Sequence, residues 1–413
     1  MDEEDGQQTA NRPSSSDSNA EIHSQFSEEE FQRDLHKRPR VVGPGGVLLP
    51  QRHELTEMLE DGSVSVMCFT WNIAAKSVRS LEMLSELFSK MDANERPDVI
   101  AIALQELPTS TLYVKNKISV HFRFSRFHRD MVAIVEKALN DTHRVYCWVR
   151  KWSQMVLVFM RRKLSLYASC PEYQFIATKR LASPFRTKGA IGICFRLLQT
   201  TCVFIACHLT HGKLKRRISD YHKLSRSFDF EMLRRQRSSD ANNVPIKKAA
   251  NVFWFGDLNF RLWHVDAAQL IKKQLQNRLF RHNLDFRELL DHDELTIEKA
   301  KGFIFENFRE GVIAFPPTHK FIRNSNQYAP NRIPSYTASG VQSIIIDRVL
   351  FWSKDKKSLV PVRYDCIWDL TVSDHKPVYC TFKMRVYESK SSNGHSEAIS
   401  LSNSTVFDST NST

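Results

Sequence analysis

The chain has 413 residues, of which 42% are hydrophobic and 25% are charged, as is ordinary for a globular protein with a large core. No apolar run approaches the ~20 residues that a membrane-spanning helix needs, and the acidic N-terminus "MDEEDGQQTA" excludes a secretory signal. The formal net charge is +13, and because residues 1–30 hold nine acids and one Arg, the remainder is more basic still, at +21.

A folded region with this much positive charge is expected to meet an acidic partner, namely nucleic acid, an anionic membrane or a polyphosphate. The alternative is that the charge serves only solubility. The eight cysteines form no CxxC pair, and most of them lie in apolar, strand-like contexts. This usage is typical of buried thiols in a reducing, intracellular compartment.

The first half of the chain predicts a polar leader followed by alternating strands and helices. Residues 1–40 are rich in Ser, Glu, Asp and Gln, and we predict a largely disordered segment over 1–60. Hydrophobic periodicity then predicts helices over 81–91, 130–141 and 219–236. Strands are predicted in "SVSVMCFTWN", "PDVIAIALQEL", the pair "RVYCWVRKW" and "QMVLVFMRRKL", and the pair "GAIGICFRLL" and "TCVFIACHLTHG".

The second half contributes three more strands and a polar tail. The strands are "NVFWFGDLNFRL", "SIIIDRVLFW" and "PVYCTFKMRV", with helices near 265–282 and 285–291 and a disordered tail over 388–413. Strands outnumber helices, and hairpins outnumber βαβ units. We therefore predict an α+β fold with two packed, mostly antiparallel β-sheets flanked by helices, a four-layer α/β sandwich formed by one domain over 61–387.

The stretch "NVFWFGDLNFRL" (251–262) interrupts an apolar run with Asp257 and Asn259. On an extended chain these two side chains project to the same face, at the end of a buried strand. Burying them without partners would cost roughly 2–7 kcal/mol for each group. The alternative is a turn, because Gly256, Asp257 and Asn259 are turn-forming residues.

Five other predicted strands also end in polar groups. These groups are Asn72; Gln105 and Glu106; His208 and His211; Asp347 and Arg348; and Ser373, Asp374 and His375. Oxygen ligands such as Asn72 and Glu106 suit Mg²⁺, a carboxylate can orient water, and an amide or imidazole can hold a phosphate oxygen. Brought together, such strand ends would supply what metal-assisted phosphate hydrolysis requires.

The motifs that carry these residues resemble those of a known family. In chain order they are "FTWN", "ALQEL", "TKGAIGICF", "ACHLTHG", "FWFGDLNFRL", "PPTHKF", "RIPSY", "DRVLFW" and "SDHKPV". The set is similar to the endonuclease/exonuclease/phosphatase superfamily and, within it, to the inositol polyphosphate 5-phosphatases. The versions "TKGA", "RIPSYT" and "DRVL" most resemble the type IV phosphatidylinositol polyphosphate 5-phosphatase branch. The resemblance implies that 61–387 is a 5-phosphatase catalytic domain.

The resemblance also implies roles for the polar strand ends. Asn72 and Glu106 would lie at the Mg²⁺, and we also assign Asp374 to the metal group. Asp257 would orient the attacking water, while Asn259 holds the phosphate and shapes the metal site.

Two histidines complete the implied catalytic set. His208 would touch the scissile phosphate, and His375 would stabilise the charge of the transition state while Asp347 orients its imidazole. Water would attack in line, without a covalent intermediate.

Further cations match the family's substrate-binding positions. Lys320 and Arg332 correspond to residues that contact the neighbouring 4-phosphate, and Lys188 is a further cation on the substrate side. His319 occupies a position where the family usually has Tyr, and Pro330 one where it often has Lys. An imidazole can still donate to phosphate, so we expect a weakened 4-phosphate clamp.

A nine-residue insert, "ASGVQSIII" (338–346), separates Thr337 from Asp347 within a motif that is continuous in the family. If the insert is a loop, Asp347 still reaches His375. If it shifts the following strand by one residue, Asp347 turns to the opposite face and the pair is lost. An incorrect splice boundary would also produce such an insert.

The expected function is Mg²⁺-dependent hydrolysis of the 5-phosphate of phosphoinositides, such as phosphatidylinositol 4,5-bisphosphate and 3,4,5-trisphosphate. The alternative is a catalytically impaired, phosphoinositide-binding scaffold. Abasic-site endonuclease and sphingomyelinase activities also occur in the superfamily, but "PPTHK" and "RIPSY" argue against both. Lipid and soluble inositol phosphates remain equally open as substrates.

The expected partner is a phosphoinositide in an anionic membrane, without nucleic acid, and a protein partner could supply localisation. We expect a monomer that is cytoplasmic and peripheral at membranes. The basic runs "KLKRR" (213–217) and "LRRQR" (233–237) either face the membrane or are simply solvated.

Overall fold

The structure is a computed structural model that describes the core of the chain with several gaps. The described residues are 21–23, 41–42, 47–59, 61–77, 81–89, 91, 95–108, 117–140, 142–178, 188–235, 244–262, 290–329 and 346–386. The predicted tail over 388–413 and most of the predicted disordered segment over 1–60 lie outside these residues, as does the predicted helix near 265–282.

The strands form two large sheets and a short pair. They are β1 (Glu21–His23), β2 (Val41–Val42), β3 (Leu48–Leu49), β4 (Ser63–Asn72), β5 (Val99–Gln105), β6 (His143–Lys151), β7 (Gln154–Arg161), β8 (Glu172–Ala177), β9 (Gly189–Leu197), β10 (Thr200–His208), β11 (Asn251–Asp257), β12 (Arg309–Glu310), β13 (Asp347–Ser353), β14 (Leu359–Cys366) and β15 (Val378–Arg385). The first sheet has the order β1-β6-β7-β5-β4-β15-β14, the second has the order β12-β13-β11-β10-β9-β8, and β2 pairs with β3. The pairs β4/β5 and β10/β11 are parallel and every other named pair is antiparallel, which confirms the predicted sheet type.

Seven α-helices fall within the described residues. They are α1 (Arg52–Met58), α2 (Met83–Ser89), α3 (Lys117–Ala138), α4 (Arg162–Ser165), α5 (Leu214–Ser227), α6 (Glu231–Arg234) and α7 (Glu294–Ala300), with a 3₁₀ turn at Pro245–Lys248. Helices α2 and α3 occupy the predicted positions, although α3 begins earlier than expected. Helices α1, α4 and α7 and strands β8 and β14 were not predicted, and α1 lies within the segment over 1–60 that was predicted to be largely disordered. No helix in the described ranges is both long and apolar enough to cross a bilayer.

The predicted helix over 219–236 is wrong as a single element, because the chain leaves the helical conformation between α5 and α6. Phe228 and Phe230 are buried there, and their stacked rings lie 5.9 Å apart. Both rings lie over Gly192 in β9, where an added Cβ would come within 2.5 Å of Phe228. Burial of two aromatic rings against the sheet outweighs continued helix, a tertiary effect that local periodicity does not register.

The core has the layers that the sequence predicted. One apolar cluster lies between the two sheets and includes Val64, Val66 and Cys68. The alternate residues of the same strand, Phe69 and Trp71 among them, belong to a second cluster that α2 and α3 cover. A third cluster joins the outer face of the second sheet to α5, α6 and α7. Strands that are covered on both faces read as nearly continuous apolar runs, and the result is a four-layer sandwich.

His143 makes this fold sensitive to acid. The ring is buried, with Nε2 2.7 Å from the Pro97 carbonyl oxygen and Nδ1 2.8 Å from Thr142 Oγ1. Burial lowers the pKa of His143 from 6.5 to about 4. His143 therefore binds a proton more readily in the unfolded chain than in the folded protein. The contribution of the neutral His143 to the free energy of unfolding is complete above pH 6.5 and is lost as the pH falls toward 4.

We expect His143→Gln to flatten this acid dependence by up to about 3 kcal/mol, since Gln can still donate to Pro97 but does not titrate. Urea denaturation at a series of pH values would measure the free energy of unfolding. His53→Gln, at an exposed position, should leave the pH profile of the wild type unchanged. Parallel profiles for wild type and His143→Gln would contradict the assignment.

Candidate active site

The polar strand ends meet at one edge of the sandwich. In the second sheet, His208 is in register with Asp257, and Asp257 with Asp347, so three strands place a titratable side chain in the same row. In the first sheet, Asn72 ends β4 beside Gln105 at the end of β5. The two edges are joined directly, because Asn72 Nδ2 donates to Asp257 Oδ2 at 3.0 Å.

Asp257 is the centre of this arrangement and is almost completely buried. Its Oδ2 accepts from Asn72 and lies 3.2 Å from His208 Nε2, while its Oδ1 accepts from the Asn259 amide at 3.1 Å. Burial alone would raise the pKa of Asp257, but His208, His375 and Lys188 together hold it below the usual range. The group is therefore a carboxylate at neutral pH, with oxygens directed into the site.

The stretch after β11 is both a turn and a site. Strand β11 ends at Asp257, and Asn259 has a left-handed backbone with φ of 57°. The expectation that these residues share a strand face is therefore wrong, and they meet through a turn in which Asn259 Nδ2 donates to the Leu209 carbonyl at 3.0 Å. Gly256 permits a close strand approach, with φ of 140° and Cys207 O only 2.0 Å from where a Cβ would lie.

His208 is contacted from two sides at the same nitrogen. Asp257 Oδ2 and Lys188 Nζ both lie within hydrogen-bond range of Nε2, whereas Nδ1 is buried without a partner among the described residues. Nε2 can donate to the carboxylate or accept from the ammonium, but not both at once. Burial lowers the pKa of His208 and the neighbouring Lys188 lowers it further, so the ring is neutral when Lys188 is in place.

Glu106 lies at the mouth of the site. It directly follows β5 with φ of 53°, and its side chain is 44% exposed, with Oε1 3.9 Å from His208 Nε2. Asn72 Oδ1 accepts from the Ala74 amide at 3.1 Å and keeps a second lone pair. These two side chains supply the carboxylate and amide oxygens that suit a hard divalent cation.

His375 and Asp347 form a buried pair despite the insert. His375 Nδ1 lies 3.0 Å from Asp347 Oδ2, which also accepts from Thr318 Oγ1 at 2.9 Å. Residues 338–345 lie outside the described part of the chain, but Ile346 is placed by its carbonyl, which accepts from the Leu258 amide at 2.8 Å. That bond fixes the register of β13 from its first residue, so the strand is not shifted away from His375.

The two groups of this pair are charged at neutral pH. Burial lowers the pKa of His375, but the adjacent Asp347 outweighs it and the pKa rises to about 9. Burial raises the pKa of Asp347 to about 6, although His375 opposes this shift. Between these values the pair is an imidazolium and a carboxylate. Ligand atoms of Asp257, Asp347 and His375 lie within 4.8 Å of one another, so this group could also hold a metal ion.

Several residues position the site without having been predicted to do so. Trp71 Nε1 donates to the His375 carbonyl at 3.0 Å, and Ser373 Oγ donates to the Asn72 carbonyl at 2.7 Å. Trp71 belongs to an apolar strand sequence, so its residue type does not reveal this role. The one available signal was an indole N–H immediately before Asn72. These bonds tie the strand end of Asn72 to the loop of His375.

Lys376 anchors the same loop from inside. Its ammonium donates to Asn326 Oδ1 at 2.5 Å and to the carbonyls of Trp368 at 2.7 Å and Leu370 at 3.1 Å. Burial lowers its pKa to about 8. The sequence analysis assigned no role to this lysine, and the structure shows that it holds together three segments of chain.

The predicted substrate residues lie beside this pair. The His319 ring centroid is 4.2 Å from that of His375, and burial lowers the pKa of His319 well below its ordinary value, so its ring is neutral. Lys320 Nζ is 3.8 Å from Asp374 Oδ2, and the Lys320 side chain is 48% exposed. Asp374, predicted as a metal ligand, thus faces a cation that was predicted to bind the substrate. Arg332 and Pro330 lie outside the described residues.

Comparison with known proteins identifies the family. Residues 69–381 match the endonuclease/exonuclease/phosphatase family 2. The chain belongs to this family.

Two phosphatidylinositol phosphate 5-phosphatases are similar to most of this chain. Phosphatidylinositol polyphosphate 5-phosphatase type IV of Rattus norvegicus is 28% identical over 372 residues, which is 86% of this chain and 51% of the relative. Phosphatidylinositol 3,4,5-trisphosphate 5-phosphatase 2 of Homo sapiens is 33% identical over 348 residues, 82% of this chain and 25% of the relative. The chain thus spans about half the length of the type IV relatives, and the predicted resemblance to 5-phosphatases is confirmed.

Two solved structures share the fold. The inositol polyphosphate 5-phosphatase domain of Spsynaptojanin, in complex with inositol (1,4)-bisphosphate and calcium ion, aligns with a TM-score of 0.60 at 22% identity, covering 80% of this chain and 88% of that one. A ferrous NO complex of Cimex nitrophorin aligns at 0.55 and 19% identity, covering 79% and 99%. Since one fold carries such different ligands, function must be argued from the side chains of the site.

Proposed function

We propose that the chain hydrolyses the 5-phosphate of phosphoinositides, such as phosphatidylinositol 4,5-bisphosphate and 3,4,5-trisphosphate, in a reaction that depends on Mg²⁺. The observation that carries the proposal is the ionised Asp257, held between Asn72 and His208, with the His375–Asp347 pair in the adjacent register. The names of the similar relatives point to the 5-phosphate and to phosphoinositides.

Asn72 and Glu106 would hold the Mg²⁺, because their oxygens lie at adjoining strand ends and Glu106 reaches the mouth. When bound there, the ion supplies positive charge to the phosphate oxygens. We place Asp374 on the substrate side because of its contact with Lys320. The group of Asp257, Asp347 and His375 fits metal less well, because His375 Nδ1 already faces Asp347.

Asp257 orients the water that attacks phosphorus and accepts its proton, and the depressed pKa keeps this carboxylate ionised before the attack. The new oxygen–phosphorus bond forms opposite the inositol oxygen, whose bond to phosphorus breaks. The departing inositol oxygen takes up a proton from solvent and becomes a hydroxyl, Asp257 returns its proton to solvent, and inorganic phosphate is released. Negative charge grows on the phosphoryl oxygens during this step. The His375 imidazolium, oriented by Asp347, is placed to donate to one of them.

Lys188 changes partner when substrate binds. Its ammonium contacts His208 Nε2 in the structure, and phosphate oxygens are stronger acceptors for it than a neutral imidazole. Withdrawal of Lys188 toward the phosphate frees Nε2 to donate to Asp257. The exchange couples phosphate binding to the orientation of the carboxylate that accepts the proton.

The structure removes the main reason for the alternative of an impaired scaffold. That alternative depended on the insert over 338–346 separating Asp347 from His375, and the two side chains are in contact. We also propose that the protein is cytoplasmic and peripheral at membranes, and its basic net charge supports attraction to an anionic membrane surface. We also propose that the protein is a monomer.

Phosphate release tests the proposal directly. Vesicles that contain phosphatidylinositol 4,5-bisphosphate should release phosphate with Mg²⁺, lose this activity in EDTA and regain it when Mg²⁺ is restored. Vesicles with phosphatidylinositol 4-phosphate serve as the matched control, because that lipid lacks the 5-phosphate. Equal release from both lipids, or no release from either, would contradict the proposed function.

A further inference from the structure

Helix α5 presents a cationic surface beside the active site. At about 100° per residue, its exposed cations fall within an arc of roughly 120°. These cations are Lys215, Arg216, Lys223 and Arg226. With Lys213, which immediately precedes the helix, we call them the basic face. The opposite side of α5, which includes Tyr221 and Leu224, packs onto the second sheet.

The basic face is not neutralised by neighbouring acids in the described part of the chain. Asp220 is the only acid of α5, and it is buried and accepts from the Thr210 amide at 2.8 Å. No ion pair is formed there by Lys213, Lys215, Arg216 or Arg226. By contrast, Arg234 and Arg235 of α6 are each paired with a carboxylate, at 2.8 Å in both cases.

The positions of these cations within α5 do not stabilise the helix. The first turn contains Lys215 and Arg216 and no acid, and the N-cap Lys213 makes no side-chain capping bond. Cations near a helix N-terminus interact unfavourably with the helix dipole. Stability of α5 therefore does not explain this arrangement, whereas an external anionic partner does.

The basic face runs along the rim of the site. Lys223 Nζ donates to the Ala177 carbonyl at 2.6 Å, and Ala177 lies in the same row of the sheet as Gly189 and His208. At the other end, Lys213 is five residues beyond His208, which limits its distance along the chain to ~18 Å. The cations thus extend from within ~18 Å of His208 to the edge strand β8.

We propose that the basic face is a docking surface for an anionic lipid membrane and that it holds the mouth of the site against the lipid headgroups. This surface deepens the proposed function, because a phosphoinositide must be reached within a leaflet. An array of exposed cations without acidic neighbours in the described part of the chain suits the distributed charge of lipid phosphates. The exposed residues of α5 include no Phe, Tyr or Trp, the side chains on which single-stranded nucleic acid stacks.

Vesicle sedimentation tests the docking surface without catalysis. Vesicles of phosphatidylcholine with an increasing fraction of phosphatidylserine, and no phosphoinositide, should pellet the wild type in a salt-sensitive manner. The double variant Lys215→Gln/Arg216→Gln should bind them about 30-fold more weakly. Circular dichroism should show an intact helix, since these substitutions relieve an unfavourable interaction with the dipole.

The matched control is Lys356→Gln/Lys357→Gln, which removes the same charge from exposed positions. These lysines follow β13, whose far end lies opposite to the row of Asp347. The control should bind vesicles as the wild type does. Equal loss in both variants, wild-type binding by Lys215→Gln/Arg216→Gln, or binding of RNA without binding of vesicles would each overturn the docking surface.

A soluble substrate separates this inference from the proposed function. Phosphate release from inositol 1,4,5-trisphosphate needs no membrane, so Lys215→Gln/Arg216→Gln should retain the wild-type rate with it. If the wild type released no phosphate from either soluble or lipid substrate but still pelleted with vesicles, the proposed function would fail and the docking surface would stand. Activity without vesicle binding would give the reverse result.

Discussion

Replacement of Asp257 by Asn is expected to lower kcat for phosphate release by about 10³-fold, which is ~4 kcal/mol of transition-state stabilisation. The buried carboxylate accepts from Asn72 and lies against His208, and an amide of the same shape cannot take the proton of the attacking water. KM should change little, because Asp257 is not proposed to hold the substrate. Steady-state kinetics with phosphatidylinositol 4,5-bisphosphate vesicles would measure both constants.

Asp98→Asn provides the control for loss of a carboxylate that accepts hydrogen bonds. Asp98 accepts from the Ser65 amide and from Arg161 Nε, and it immediately precedes β5, at the end opposite to Gln105. We expect this variant to lose stability but to keep kcat within a few-fold of the wild type. An Asp257→Asn enzyme with a nearly normal kcat would show that another group accepts the proton.

Replacement of Asp347 by Asn is expected to change the pH profile of kcat as well as its size. In the wild type, the pKa of His375 is about 9 because Asp347 outweighs the effect of burial, and the pKa of Asp347 itself is about 6. The imidazolium of His375 exists only below its pKa, so kcat should fall as the pH rises through about 9. As the pH decreases through about 6, Asp347 is protonated and no longer orients the imidazolium as a carboxylate, so kcat should fall there as well. A bell-shaped profile with these limbs is the expected wild-type result.

Without the Asp347 carboxylate, burial dominates and the pKa of His375 falls. The basic limb should therefore move to lower pH, the acid limb near 6 should disappear, and kcat should fall by about 10²-fold at pH 8. Profiles of kcat from pH 5 to 10 would record all three changes. A variant with a lower rate but an unmoved basic limb would limit Asp347 to a structural role.

Replacement of Thr318 by Val tests the same pair by changing the pKa of Asp347 while keeping its carboxyl group. The Thr318 hydroxyl donates to Asp347 Oδ2, and this bond lowers the pKa of the carboxyl. Its removal should raise the pKa of Asp347 and move only the acid limb, toward higher pH. The opposite shift would show that the hydroxyl does not stabilise the carboxylate.

The fold shows how far local pattern carries. Strand β11 and its neighbours were predictable because each is covered on both faces, which requires a continuous apolar run. The predicted helix over 219–236 failed because burial of Phe228 and Phe230 against Gly192 breaks the helix, and that contact is distant in sequence. The edge strands β8 and β14 are only partly buried, so apolar and polar residues alternate weakly in them and the pattern did not predict strands there.

The sequence by itself determined which side chains are the candidates for the chemistry. Polar residues after apolar strands must either be paired or lie at a site, so Asp257, His208 and His375 could be named before any coordinates. The motifs that contain these residues occur in the same order as in the 5-phosphatases, and this resemblance added the expected substrate class.

Only the tertiary structure decided how these side chains are connected. It places Asp257 against Asn72 across two sheets and keeps Asp347 on His375 despite the insert. It also assigns Trp71 and Lys376 to positioning roles that their residue types do not reveal. The physical reason is that a hydrogen bond or a pKa shift depends on distances of a few ångströms between residues far apart in the chain, and these distances are set by packing of the whole sandwich.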